Sequence, residues 1–129
     1  MNDTIYTLYP VFAGTRNLPT VLADAKDRAR VTAELEDLFK SWGNDVTVRG
    51  TYSTVGFRPD ADLMLWLVAG SSEDLQRAVV EFRRTELASA LDMTWSFMGV
   101  VKPAEFAPEH APAFVKATRR SPTCACIRS

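Results

Sequence analysis

Residues 63–68 (LMLWLV) form an uninterrupted apolar run in the middle of the chain. A strand with one face in water alternates apolar and polar residues, and this run does not alternate. The run therefore predicts a strand over residues 61–69 that buries both of its faces. One layer of helices can cover only one face of a sheet, so we expect a second surface to cover the other.

Apolar spacing before this run predicts a strand and a helix. Alternation over residues 5–11 predicts a strand that ends at residues 13–14, and Pro10 indicates a sheet edge or a bulge near its end. Apolar residues then recur at steps of three and four. They predict one helix that opens at Asn17 and Pro19 and closes at Gly43-Asn44.

Three further elements follow from the same patterns. Residues 46–57 predict a strand with the set Val46, Val48, Gly50 and Tyr52 on one face. Ser71, with a carboxylate three residues later, predicts the start of a second helix. Residues 93–101 predict a last strand, which Pro103 ends.

The predicted order is strand, helix, strand, strand, helix, strand. This order is typical of the ferredoxin-like α+β fold, in which two helices pack on one face of a four-stranded antiparallel sheet. We expect Met64, Trp66, Trp95 and Phe97 to place bulky side chains on both faces of that sheet. Leaving the face without helices in water would expose a large apolar patch. A second sheet, from another copy or another domain, is the expected cover.

Composition excludes several classes of function. The 15 lysines and arginines nearly balance the 16 aspartates and glutamates, so we expect no nucleic-acid partner. No apolar stretch approaches the roughly 20 residues of a membrane span, and no targeting segment is recognisable, so we expect a soluble cytoplasmic protein. Cys124 and Cys126 are one residue apart and lack a second pair, so we expect neither a disulfide nor a metal site.

His110 is the single histidine, and any haem ligation or general-base role would have to fall on it. It lies between Pro108 and Pro112, where a solvated linker residue is the simpler interpretation. The other interpretation is that His110 is a distal pocket residue in a longer protein. We expect no catalytic, cofactor-binding or metal-binding residue within this chain.

Other chemically capable side chains also have structural interpretations. Asp60 and Asp62 could act as paired carboxylates, but a turn that leads into a strand explains them. Arg83 and Arg84 could hold propionates, but exposed helix arginines that face a partner or pair with Glu81 or Glu86 are the simpler expectation. Three tyrosines fall in predicted strands, where core or interface roles are expected: Tyr6, Tyr9 and Tyr52.

Several short motifs resemble, in order, the N-terminal half of the chlorite dismutase-like haem proteins, above all the coproheme decarboxylases. The motifs are RGTY at 49–52, GFRPDADLM at 56–64, FRRT at 82–85, WSFMG at 95–99, PAEF at 103–106 and HAPAF at 110–114. The resemblance runs from about residue 5 to about residue 116. It implies a subunit of two ferredoxin-like halves whose sheets pack into a dimeric α+β barrel, as the doubly apolar strand requires independently.

The resemblance also implies a chemistry. Such enzymes use peroxide to decarboxylate two propionate groups of coproheme oxidatively and so form haem b. Their axial histidine, catalytic tyrosine and most propionate-binding groups belong to the C-terminal half. We therefore expect no haem or coproheme bound by this chain alone, and we expect a homo-oligomer or a second domain as partner.

The resemblance divides the chain into three parts: a ferredoxin-like domain at 1–103, a linker toward a missing second half at 104–117, and an unstructured tail at 118–129. Codons can be chosen for residues 122–129 that, read in a shifted frame, encode Tyr-Leu-Cys-Val-Tyr-Pro. This is the expected start of the family's second half, so we expect the tail to be a frame-shift product. An ordinary disordered chain end is the alternative. Sequencing the coding DNA distinguishes them.

Two other functions remain open. The chain could be an autonomous dimeric α+β barrel of the small monooxygenase or stress-response kind, with a small apolar ligand inside. It could also be a regulatory or purely associative ferredoxin-like module. An absorption spectrum after mixing with coproheme separates the fragment and the autonomous barrel from a true one-domain haem enzyme.

Overall fold

The computed structural model describes residues 4–102. Its strands are β1 (Ile5–Gly14), β2 (Val46–Arg58), β3 (Ala61–Ala69) and β4 (Leu91–Val101). Its helices are α1 (Leu18–Val21), α2 (Ala25–Ser41) and α3 (Ser72–Arg83), followed by a short 3-10 helix at Ala88–Ala90. No helix in this part of the chain has the length and apolar character needed to cross a membrane.

The four strands form one antiparallel sheet in the order β2-β3-β1-β4. Helices α2 and α3 pack on one face of it and enclose the main core. That core includes Leu8, Phe12, Phe39, Trp42, Leu65, Leu67, Leu75 and Phe82. The connectivity and the one-sided helix layer confirm the predicted ferredoxin-like α+β fold.

The prediction of one long first helix is wrong, because the structure has two helices there, α1 and α2. Asp24 takes an extended backbone conformation and caps α2, with its Oδ1 accepting a hydrogen bond of 2.9 Å from the Asp27 N–H. A side chain that satisfies a free N–H of the first turn starts a new helix. The buried stripe of α2 accordingly begins at Val31, whereas Ala25 and Ala29 are exposed.

We expect Asp24→Ala to lower the free energy of unfolding by about 1 kcal/mol, because the N–H of Asp27 loses its acceptor. Asp37→Ala, at an exposed position within α2, serves as the control, with a change within about 0.5 kcal/mol. Urea denaturation followed by circular dichroism measures both. Equal effects of the two substitutions would contradict the cap.

Pro10 does not mark a sheet edge, because β1 pairs with β3 on one side and with β4 on the other. The alternative that Pro10 left open, a bulge near the end of the strand, is present. Val11 lies opposite Trp95 and Phe12 lies opposite Met93, so Thr94 is the extra residue.

The predicted assignment of β2 side chains to the two faces of the sheet is also wrong after Val48. Val48 lies opposite Leu67, whereas Gly50 lies opposite Trp66, so β2 contains a bulge at residues 49–50. One extra residue transfers every later side chain to the other face of a strand. Val46 and Val48 therefore face the helices, while Tyr52 shares the opposite face with Met64.

Candidate functional site

The sheet face opposite the helices, called the open face below, carries an aromatic surface. Its central side chains are Tyr9, Val11, Met64, Trp66, Trp95 and Phe97. Trp95 is 58% exposed and Phe97 is 53% exposed. Exposed large aromatic groups in one patch mark an interaction surface.

The structure corrects one expectation about these side chains. Met64, Trp66, Trp95 and Phe97 do not divide between the two faces, since the pairing of Tyr9 with Phe97 and of Val11 with Met64 and Trp95 places all four on the open face. The alternate residues of the 63–68 run, Leu65 and Leu67, face the helices and are fully buried. The run is thus apolar on both faces; burial of its helix-facing side is confirmed, and burial of its open-face side stays a prediction.

The aromatic rings form a continuous row across the sheet. The ring centroids of Tyr9 and Trp66 are 5.9 Å apart, those of Tyr9 and Phe97 6.3 Å, and those of Trp95 and Phe97 5.9 Å. These separations are in the range of favourable aromatic pairs. The row therefore offers a preformed apolar surface.

Arg49 ends this row on the outer strand β2. Its guanidinium carbon lies 5.5 Å from the ring centroid of Trp66, which is a cation–π arrangement. Arg49 Nε and Thr54 Oγ1 are both buried, and neither has a hydrogen-bond partner. Strand β2 therefore carries two buried polar atoms that lack a hydrogen-bond partner.

A cavity of about 370 Å³ lies on the open face beside the β2–β3 hairpin. Apolar side chains form most of its wall, and Thr54, Arg58, Asp60 and Thr94 form its polar rim. Residues 54–57 of β2 bulge opposite Asp62, and Gly56 has a φ of 92°, a conformation that favours glycine. The bulge leaves Phe57 85% exposed at the edge of the cavity.

Asp60 and Asp62 do not form a carboxylate pair. Asp60 Oδ1 accepts a hydrogen bond of 2.9 Å from Arg58 Nε, whereas Asp62 Oδ2 accepts one of 2.7 Å from the Gly14 N–H. The Arg58 hydrogen bond lowers the pKa of Asp60. Each carboxylate therefore has its own structural partner.

We expect the pKa of Asp60 to rise toward its ordinary value in Arg58→Gln, because the charged hydrogen-bond donor is lost. With the folded pKa below the unfolded one, the stabilisation by the pair is present above the unfolded pKa and disappears as the pH falls through the folded pKa. Carboxyl NMR shifts measured against pH test this, with Asp92 as an exposed comparison. An unchanged pKa of Asp60 would contradict the pairing.

The two candidate arginines of α3 differ from expectation in their partners. Glu81 pairs with Arg77 and also accepts a hydrogen bond of 2.9 Å from Trp42 Nε1. Glu86 pairs with Arg30 at 2.8 Å. Of the two expectations for Arg83 and Arg84, pairing with these glutamates is wrong, and contact with a partner stays a prediction. Both arginines are exposed and lie away from the open face.

The remaining candidates lie in the core, on the open face or outside the described residues. Tyr6 packs against the main core, and Tyr9 belongs to the aromatic row. The side chain of Tyr52 lies over Gly50, where a Cβ atom would come within 2.5 Å of the Tyr52 hydroxyl.

His110, Cys124 and Cys126 lie outside the described residues. Residues 4–102 contain no group of three histidine, cysteine, aspartate or glutamate side chains that could hold a metal ion.

Sequence reasoning missed Arg49 and Thr54. A signal for Arg49 was present, since an arginine followed by glycine inside a strand indicates a bulge or a close approach of another chain. The contact between Arg49 and Trp66 depends on the register of β2 against β3, which the local pattern does not contain.

Comparison with solved structures agrees with the observed fold. Chlorite dismutase from Candidatus Nitrospira defluvii in complex with imidazole superposes with a TM-score of 0.71 at 23% identity, over 88% of this chain and 46% of that chain. A heme-binding protein from Thermus thermophilus gives a TM-score of 0.62 at 23% identity, over 88% of this chain and 48% of that chain.

Sequence comparison gives the family. The coproheme decarboxylase of Mycolicibacterium smegmatis is 40% identical over 118 residues, which cover 89% of this chain and 49% of that protein. The chain thus spans about half the length of this curated relative. A family model described as chlorite dismutase matches residues 28–127, which include the predicted linker and part of the predicted tail. The chain therefore belongs to the chlorite dismutase family.

Proposed function

We propose that the chain is the N-terminal ferredoxin-like half of a cytoplasmic coproheme decarboxylase. In this arrangement a second ferredoxin-like half packs its sheet on the open face and closes an α+β barrel. The observation that carries the proposal is the row of aromatic side chains, of which Trp95 and Phe97 are more than half exposed. The 49% share of the Mycolicibacterium smegmatis relative leaves room for a second half of similar size.

The described residues lack two of the usual axial ligands of haem iron. Residues 4–102 contain neither histidine nor cysteine. The carboxylate at the rim of the cavity, Asp60, is engaged by Arg58. We therefore assign no step of coproheme chemistry to these residues. In the proposed enzyme they provide one wall of the barrel, and the peroxide-dependent oxidative decarboxylation of two propionates belongs to the other half.

The packing is tested by reconstitution in two pieces. The chain is co-expressed with the second half of the Mycolicibacterium smegmatis relative, and the proposal predicts a one-to-one complex that co-purifies. Trp95→Glu should abolish the complex, because it places a charge in the centre of the buried interface. Val80→Glu, on the exposed side of α3, should leave it intact. Failure of the unmodified chain to form a complex would contradict the proposal.

A second candidate is an autonomous barrel of two copies that binds a small apolar ligand. The cavity of about 370 Å³ favours this candidate, because pockets of this size and apolar character hold small molecules. Titration with 2-naphthol, followed by tryptophan fluorescence, tests it. Saturable binding by a stable dimer that Phe57→Ala weakens would support this candidate. Binding that does not saturate would count against it.

A further inference from the structure

Arg49 occupies an unusual position on the open face. It lies at the bulge of β2, with its guanidinium group over the ring of Trp66. Its Nε is buried and has no hydrogen-bond acceptor. An arginine that served only to keep the surface hydrated would have this N–H in water.

The two carboxylates at the neighbouring β2–β3 hairpin do not satisfy this group. Asp60 is held by Arg58, and Asp62 accepts from the main chain of Gly14. An unpaired donor in a buried place costs free energy, and the cost is larger when the group is charged. Covering the open face would remove the remaining water around Arg49 and raise that cost further.

We propose that Arg49 binds a carboxylate side chain of the sheet that covers the open face, and that this ion pair fixes the register of the two sheets. The inference rests on the proposed function, which supplies the second sheet. A carboxylate is the matching group because it neutralises the charge and accepts two parallel hydrogen bonds from one guanidinium.

The aromatic row explains why such an anchor matters. Tyr9, Trp66 and Phe97 present a largely apolar surface, and because burial of apolar area is non-directional, this surface tolerates a shift of the opposing sheet. A charged group at one end of the row satisfies its hydrogen bonds in a single alignment. Buried polar groups fix register in this way in other assemblies. Arg49 thereby acts as a positioning residue for the barrel.

Arg49→Met separates this role from simple packing. Methionine keeps an apolar stem over Trp66 and removes the charge and the unsatisfied Nε. We expect the melting temperature of the isolated chain to stay unchanged or to rise. We expect the dissociation constant of the complex with the second half of the Mycolicibacterium smegmatis relative to increase by about tenfold or more. Arg49→Lys should show a smaller loss, since it keeps the charge without the planar fork.

Arg84→Met is the matched control, because this exposed arginine follows α3 on the opposite side of the sheet. This substitution should change neither the melting temperature of the isolated chain nor the dissociation constant of the complex. The carboxylate is then identified by reversing charges: Arg49→Glu should be rescued by lysine in place of one aspartate or glutamate of the second half. Rescue at one position supports the ion pair and locates it.

The other outcomes overturn the inference in distinguishable ways. If the unmodified chain forms no complex, the packing of the proposed function fails and the ion pair fails with it. If the complex forms and Arg49→Met binds as tightly as the unmodified chain, only the ion pair is refuted. If Arg49→Met lowers the melting temperature of the isolated chain in proportion to the loss of binding, the arginine stem acts through packing, and the ion pair is again refuted.

Discussion

The 129-residue chain, mixed with coproheme and hydrogen peroxide, is expected to form no haem b and to bind coproheme weakly or nonspecifically. A peroxide reaction at haem needs an iron ligand and a positioned proton donor. Residues 4–102 contain no histidine or cysteine to ligate the iron. Chromatography of the porphyrin products measures haem b formation, and the absorption spectrum of the mixture measures coproheme binding.

A full-length coproheme decarboxylase in the same assay is the positive control. Product formation by this chain at a comparable rate, lost in His110→Ala, would contradict the expectation. It would show that the single histidine serves an active site within the chain. Reconstituted activity only after addition of a second half would instead support the two-half enzyme.

The isolated chain is expected to associate through the open face, giving dimers or larger species at micromolar concentration. Burying apolar surface contributes about 25 cal/mol per Å². Trp95→Glu or Phe97→Glu should shift the protein to monomer, since truncating a central aromatic contact costs about 2 kcal/mol or more of binding free energy. Sedimentation velocity measures the species, and a hydrophobic dye reports the exposed surface.

Val80→Glu provides the control for this experiment. Val80 is 43% exposed but lies on α3, on the helix side of the sheet. The same added charge there should leave association unchanged. A monomeric unmodified chain with no affinity for the dye would show that the aromatic surface is not an interface.

The elements were largely predictable because their signals are local. The alternation of β1, the cap at Ser71 and the apolar run of β3 each lie within a few neighbouring residues, and the structure confirms all three. The order of elements then limited the topology to the ferredoxin-like fold. Asp24, followed by Asp27, is an equally local signal for a helix start, and the sequence prediction missed it.

The errors arose where one element meets another. The bulge at residues 49–50 reverses the faces of β2; Gly50 is a local signal for a bulge, but its position depends on the pairing with β3. Glu86 is 56 residues from Arg30, so their pairing follows from how α2 and the turn after α3 approach each other. The placement of Met64, Trp66, Trp95 and Phe97 on one face likewise follows from strand register.

The sequence by itself determined the identity and order of the elements, the apolar character of β3 on both faces and the resemblance to the chlorite dismutase-like family. These properties depend on side-chain period and on short motifs, which are written in consecutive residues. Only the tertiary structure decided that Arg49 lies over Trp66, that Asp60 and Asp62 have separate partners and that a cavity forms beside the hairpin. Those features depend on register and bulges, which bring residues distant in sequence into contact.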